Sequence, residues 1–200
     1  IIGNPRAYKD NIRFTETDMN RSYVAKAVSY EENRAGEIKE IISRNNYDLI
    51  LDMHTTTATQ PISMLVASIN RKNKDFIASC NIMNIIELKN EIVDSSLIGK
   101  FKNAVSIEVN RFTIDHDLMS GLCDDIEAYL KDVQKNINRE VFVVNELIAF
   151  KDFELSQIVK IPNFKLCSLG YYPILLGEQA YINGGKYLGF KASHKYKIKL

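Results

Sequence analysis

Apolar positions in this chain fall into short runs, and the spacing changes along its length. Ile1-Ile2 followed by Gly3-Asn4-Pro5 reads as the tail of a strand passing into a loop, since Gly and Pro punctuate regular structure. Residues 3–29 are polar and without period. From Glu31 to Arg44, the small or apolar positions Ala35, Ile38, Ile41 and Ile42 mark an amphipathic helix, with Glu31 and Glu32 at its positive end. Tyr47–Met53, Ile62–Ala67, Ile82–Leu88 and Ala104–Val109 are short apolar runs of the kind found in buried strands. A polar helix-like piece spans Arg71–Cys80. Gly121–Asn138 repeats apolar residues at Leu122, Ile126, Leu130, Val133 and Ile137 with helical period.

Strand and helix alternate up to this point, which predicts a layered α/β domain over residues 1–138. The texture then changes. Val141–Val144, Leu147–Phe150, Gln157–Ile161 and Tyr171–Leu176 are β-like runs with no helix between them, so residues 139–200 are expected to form a small β-rich C-terminal domain.

Composition narrows the function classes. With 26 basic and 25 acidic residues the net charge is near zero, which argues against a nucleic-acid binder held by bulk electrostatics. No apolar stretch reaches the ~18 residues needed to cross a bilayer, so no membrane partner is expected. Cys80, Cys123 and Cys167 are odd in number and widely spaced, with no CxxC pair. Neither a disulfide framework nor a cysteine zinc site is supported, and a reducing cytoplasm is the default expectation. The chain opens without a methionine, which together with the strand-like Ile1-Ile2 leads us to expect a longer native polypeptide.

Three clusters carry candidate chemistry. In LILDMHTTTA, Asp52 and His54 stand at the end of an apolar run, where open α/β sheets bind ligands. A histidine there suits a metal, with the carboxylate orienting the ring; an isolated histidine merely hydrogen-bonded at a strand end is the commoner case. In SIEVNRF, Glu108 interrupts an apolar strand. Desolvation raises the proton affinity of such a carboxylate, as a general base requires, although a neighbouring arginine would equally satisfy a buried Glu. In NPRAYKDNIRFTETDMNRSY, Arg13, Asn20 and Arg21 offer carboxylate and oxyanion donors, or simply a solvated charged loop.

In combination and in order, these segments are more specific. NPRA at Asn4–Ala7, Arg13-Phe14, DMNR at Asp18–Arg21, YEENRAGEI at Tyr30–Ile38, LDMHTTT at Leu51–Thr57, IEV at Ile107–Val109 and EQAY at Glu178–Tyr181 resemble the aspartoacylase and succinylglutamate desuccinylase family. That family is a branch of the zinc carboxypeptidase-like hydrolases. The resemblance implies a mixed or mostly parallel sheet flanked by helices, with the small β-rich C-terminal domain. It implies hydrolysis of a small N-acyl amino acid by water activated on one zinc ion. His54 would ligate that zinc, Glu108 would act as base and Arg13 would stabilise the oxyanion. Asn20, Arg21 and Tyr181 would hold the substrate. A homodimer is expected only because relatives commonly form one.

The sequence also departs from the family. The HxxE motif that supplies the first two zinc ligands, upstream of NPRA in relatives, does not occur here, and His116 and His194 match no family ligand. A three-ligand site therefore cannot be assembled from the family positions in these residues. Either the native chain is longer, or the fold persists as a non-catalytic module binding a small carboxylate or a protein partner. The aspartoacylase branch has an arginine and a tyrosine before the catalytic glutamate, where Asp94–Lys102 has neither. N-acetylaspartate specificity is thus not expected; Arg111 and Lys186 are the cations available to compensate.

Overall fold

Among the described residues, seven strands pair into one mixed sheet in a computed structural model of the chain, which describes residues 1–200 apart from Lys186 and the side chains of Asn90 and Glu91. In chain order the elements are α1 (Pro5–Asp10), a 3-10 turn at Met19–Arg21, α2 (Tyr30–Arg44), β1 (Ile50–Thr56), β2 (Ser63–Val66), α3 (Lys74–Ser79), β3 (Asn84–Leu88), α4 (Asn90–Val93), α5 (Leu97–Lys100), β4 (Ala104–Asn110), α6 (His116–Leu130), β5 (Asn138–Ile148), a 3-10 turn at Phe150–Asp152, α7 (Leu155–Ile158), β6 (Tyr172–Ile174), α8 (Gln179–Asn183) and β7 (Gly189–Lys199). The strand order is β1-β4-β2-β3-β5-β7-β6. β1–β4, β2–β3 and β3–β5 are parallel, while β4–β2, β5–β7 and β7–β6 are antiparallel. The α/β class and the mixed sheet expected from the sequence are both present.

Strand alternation divides the core. Met64, Val66, Ile85, Val105, Ile107, Val109 and Val141 point to one face, covered by Phe76 and Ile77 of α3 and Leu122 of α6. Leu65, Ile86, Leu88, Phe142 and Val144 point to the other, where they meet Phe164, Ile174 and Phe190 from the C-terminal segment. Phe142 packs edge-on against both Phe164 and Tyr172. Residues 139–200 are β-rich, as expected, but they share the sheet: β5 pairs with β3 on one side and β7 on the other.

Local structure departs from the sequence reading in identifiable places. Ile1 and Ile2 stand outside any strand. Residues 3–29, expected to be irregular, contain α1, which buries only Ala7 and so shows no apolar period. Its caps hold it: Asn4 accepts from Ala7 N, Pro5 opens the helix, and Asn11 closes it in the left-handed region at φ 52°. Helix α6 starts five residues before the expected Gly121 because Asp115 caps it, accepting from Leu118 N at 2.8 Å. It ends at Leu130, and Val133, assigned to its period, is exposed. Gln157–Ile161, expected as a strand, lies across the short helix α7, since a run this brief fits either period. No described helix is long and apolar enough to cross a membrane.

Candidate active site

The parallel pairing of β1 with β4 sets the site. Its register places Asp52 beside Ser106, His54 beside Glu108 and Thr56 beside Asn110. Alternation turns these residues away from the α3 and α6 face, where Val105, Ile107 and Val109 lie. A polar strip therefore runs along two adjacent strands at their carboxyl ends, where ligands bind in open sheets.

Asp52 is a hub on this strip. Its Oδ2 lies 2.6 Å from His54 Nε2 and accepts from Ser106 Oγ at 3.0 Å. Burial opposes a charge on the imidazole, but the Asp52 bond and charge, with Glu108 beyond, outweigh it and raise the His54 pKa to about 9. Because Nε2 is engaged, Nδ1 is the ring's candidate ligand atom. Glu108 is buried, and burial pushes its pKa up to about 7; the charges of Glu178 and Asp52 add to that rise, while His54 and Arg13 oppose it. Its carboxyl group is thus poised between acid and base near neutral pH.

Arg13 approaches from the loop after α1. Its Nη2 and Nε donate to Asp18 Oδ2 at 2.8 and 3.2 Å, and its Nη1 stands 3.7 Å from Glu178 Oε1. Burial alone would disfavour the guanidinium charge, but Asp18 and then Glu178 more than offset it, so Arg13 titrates above the ordinary arginine range. Asp18 is held below the usual carboxylate range: Arg13 and the Asn20 N–H overcome the cost of burying it. Asp18 also caps the 3-10 turn carrying Asn20 and Arg21, accepting from Asn20 N at 2.9 Å.

Asn20 and Arg21 diverge from that turn. Asn20 lines a cavity of about 620 Å³ together with Asp52, His54, Asn4 and Tyr23; its remaining wall is mostly apolar, from Ile38, Ile42, Leu51 and Met53. Arg21 lines a different cavity, of about 580 Å³, beside Tyr187 and Phe190. Its Nη2 donates to Tyr187 Oη at 2.9 Å and its Nη1 to Asn20 O at 2.8 Å. Tyr181 stacks on Tyr187 with centroids 4.5 Å apart and meets Phe190 edge-on. Burial pushes the Tyr181 hydroxyl pKa up; Tyr187, Glu108 and Glu178 add to this, while Arg21 opposes it. Tyr181 thereby reaches the electrostatic neighbourhood of Glu108, as a side chain from the C-terminal segment.

Sequence reasoning gave no role to Glu178. Its Oε2 accepts from Thr56 Oγ1, Thr57 N and Thr57 Oγ1, and its Oε1 from Ala180 N. Glu178 opens the EQAY segment, but only the fold brings it to Thr56 and Thr57 at the end of β1. Arg111, a proposed compensating cation, is exposed and lies against its neighbour Phe112. Lys186, the other, lies outside the described residues. As to a metal, His54 offers one ligand, and no group of three or more His, Cys, Asp or Glu side chains suited to a metal ion occurs among the described residues. These residues do not compose a complete zinc site.

Residues 1–115 match the family model for the succinylglutamate desuccinylase/aspartoacylase catalytic domain. A probable aspartoacylase from Prochlorococcus marinus (strain MIT 9215) is 34% identical over 168 residues, covering 74% of this chain and 55% of that protein. One from Trichodesmium erythraeum is 23% identical over 208 residues, covering 91% of this chain and 71% of the relative. For a Nostoc sp. probable aspartoacylase, 31% identical over 77 residues, the match spans 34% of this chain and only 26% of the relative. Among solved structures, murine aminoacylase 3 superposes with a TM-score of 0.73 at 17% identity, covering 100% of this chain and 84% of that one. A succinylglutamate desuccinylase from Chromobacterium violaceum gives a TM-score of 0.72 at 13% identity, covering 100% of this chain and 73% of the other, so the fold is shared.

Proposed function

This chain belongs to the succinylglutamate desuccinylase/aspartoacylase family, and from that premise we propose that it hydrolyses the amide bond of a small N-acyl amino acid. The observation that carries the reading is Glu108: a buried carboxyl group titrating near 7, paired in register with His54 and within the field of Arg13.

The residues divide the work. Glu108 takes a proton from the attacking water and returns it to the leaving amine, which a group titrating near neutrality does in both directions. Arg13, kept charged by Asp18 and Glu178, donates to the oxygen on which negative charge develops at the former carbonyl. Asn20 and Arg21 are adjacent in one turn but line different cavities, so they grip two different parts of the substrate, the guanidinium suited to a carboxylate. Tyr181 closes the site from the C-terminal segment. Zinc enters this reading only as a partner of His54; the described residues give it one ligand, and no step above is drawn through it.

The test is release of free amine from a panel of N-acetyl and N-succinyl amino acids, with zinc content measured on the same sample. The wild-type protein is expected to cleave at least one member, and Glu108→Gln to lose about 10²–10⁴-fold in rate. Absence of cleavage by zinc-loaded wild-type protein would sink the proposal. The single metal ligand among the described residues favours a second reading, a non-catalytic module that binds a small carboxylate. Carboxylate binding by zinc-free protein, without turnover, would select it.

A further inference from the structure

The loop between α1 and the Met19–Arg21 turn carries Arg13 and Asp18 with no regular structure of its own, so its shape must be imposed from outside. The start of α2 supplies the means. Ser29 caps that helix and Glu32 completes the capping box, accepting from Ser29 N at 2.9 Å. Glu31, between them, is therefore not needed to finish the helix end. It is nonetheless fully buried, at 0% exposure. A bare buried carboxylate would cost several kcal/mol, and proximity to the helix N-terminus offsets only part of that.

Glu31 is satisfied by the loop. Its carboxylate accepts from the backbone N–H groups of Thr15, Glu16 and Thr17, three residues in a row, and from Asn4 Nδ2 at 2.9 Å. Consecutive N–H groups converging on one anion form the concave arrangement that binds anions elsewhere, here filled by a side chain of the same molecule. Return contacts lock two of the three, Glu16 and Thr17. Thr17 Oγ1 bonds Ser29 Oγ at 2.8 Å, and Glu16 Oε2 accepts from Tyr30 N at 3.2 Å. Arg13 and Asp18, the two ends of the site's ion pair, flank this pinned triad on either side.

We propose that Glu31 is a positioning residue: by clamping the backbone of Thr15–Thr17 onto α2, it sets the direction of Arg13 and holds it against Asp18 and Glu178. The inference rests on the oxyanion role given to Arg13 above. It also explains why a carboxylate is buried at a helix start whose cap is already complete.

The test reads Arg13 directly. The full chain is treated with phenylglyoxal, and modification at Arg13 and at the distant surface residue Arg71 is followed by peptide mass spectrometry. In Glu31→Gln an amide places N–H groups against N–H groups, and Arg13 is expected to react about threefold faster, as for a guanidinium released from an exposed ion pair. Arg71 should not change. Glu31→Asp keeps the charge but retracts it by one methylene, so it should give an intermediate rate, and it serves as the folded variant should the glutamine protein not fold. An Arg13 rate equal to wild type in whichever variant is folded, or a parallel rise at Arg71, would overturn the clamp. Because no substrate is involved, a wild-type chain without amide hydrolysis would sink the proposed function and leave this result standing.

Discussion

Glu178 and Thr57 are 121 residues apart in the chain, yet the Glu178 carboxylate accepts from both the backbone N–H and the hydroxyl of Thr57, at 2.7 and 3.0 Å. Thr57 Oγ1 in turn accepts from Gln179 N at 2.8 Å, so the contact runs both ways. Nearby, Gln60 Oε1 accepts from Leu175 N, and Asn163 donates to Thr59 O. The turn after β1 is thus fastened to the C-terminal segment by polar bonds as well as by the packing of Ala58 against Phe164, Ile174 and Leu175. Glu178→Ala leaves the Thr56, Thr57 and Ala180 donors without their acceptor, at a cost of about 2–3 kcal/mol. Urea denaturation should show the midpoint fall with an unchanged slope; a variant within ~0.5 kcal/mol of wild type would show the fastening to be dispensable.

Stability should also depend on pH through Glu31. Its pKa is lowered from 4.5 to about 2: burial works against this, but the N–H groups of Thr15 and Thr17 and the Asn4 amide outweigh it. The unfolded chain therefore binds a proton at higher pH than the folded one. The stabilisation is present in full above about 4.5 and is lost as pH falls from there through about 2. Glu16 and Glu32 stand close by, so the comparison must be made by difference. Wild-type protein is expected to lose on the order of 1–2 kcal/mol more than Glu31→Gln between pH 5 and pH 2.5. Equal slopes for the two proteins would show that the carboxylate is not held by the loop.

The sequence disclosed the site's reacting groups better than their supports. His54 and Glu108 interrupt apolar strands, so their oddity is visible in one dimension, and the parallel register then makes them neighbours. Asp18, Glu31 and Glu178 are carboxylates in polar segments, where composition cannot separate a buried acceptor from a solvated surface charge. What distinguishes Glu31 and Glu178 is backbone N–H groups arriving from distant segments, and Asp18 is marked by its pairing with Arg13, none of which a local period encodes. The fold shows the same split. α2 was legible because its apolar face is covered by Tyr23 and Leu97, whereas α1 rests on caps. β7 escaped notice because its second half, from Ser193 to Lys197, is exposed and basic, with no apolar run. The DMNR resemblance assigns Asn20 and Arg21 to the substrate together, but in the 3-10 turn they line different cavities.

Arg139 predicts a stability effect far from the chemistry. It is fully buried at the start of β5, with Nη2 donating to Ala78 O and Cys80 O at 3.0 and 2.6 Å and Nη1 to Ile137 O at 3.1 Å. These carbonyls close the end of α3 and the approach to β5, so the guanidinium acts as an internal cap. Burial lowers its pKa, with Cys80 and Asp125 partly offsetting that fall. Arg139→Met fills the volume but leaves the Cys80 and Ile137 oxygens without this donor, at about 2–3 kcal/mol. Thermal denaturation checks this; an unchanged or raised midpoint would mean that apolar packing replaces the cap fully.

Gly189 marks where the C-terminal strands come closest. A Cβ built there would lie 2.8 Å from Leu176 Cα, 2.9 Å from Leu176 N and 2.9 Å from Ile174 O, all backbone atoms that no rotamer change can move aside. The contact arises because β7 begins at Gly189, opposite the end of β6, with Phe190 paired to Ile174. Gly189→Ala must therefore push β7 from β6 or bend the turn after Ile174, and overpacking of this kind costs about 1–3 kcal/mol. The displacement would spread to Phe190, which is packed against Tyr181 and Tyr187. The expected signature is a lower unfolding midpoint together with altered near-UV circular dichroism from the tyrosine cluster. Gly121→Ala is the control, since that glycine lies within α6 and has nothing within 4 Å of an added Cβ. It should be neutral or stabilising, by up to about 1 kcal/mol. A Gly189→Ala protein as stable as this control would show that the two strands have room to separate.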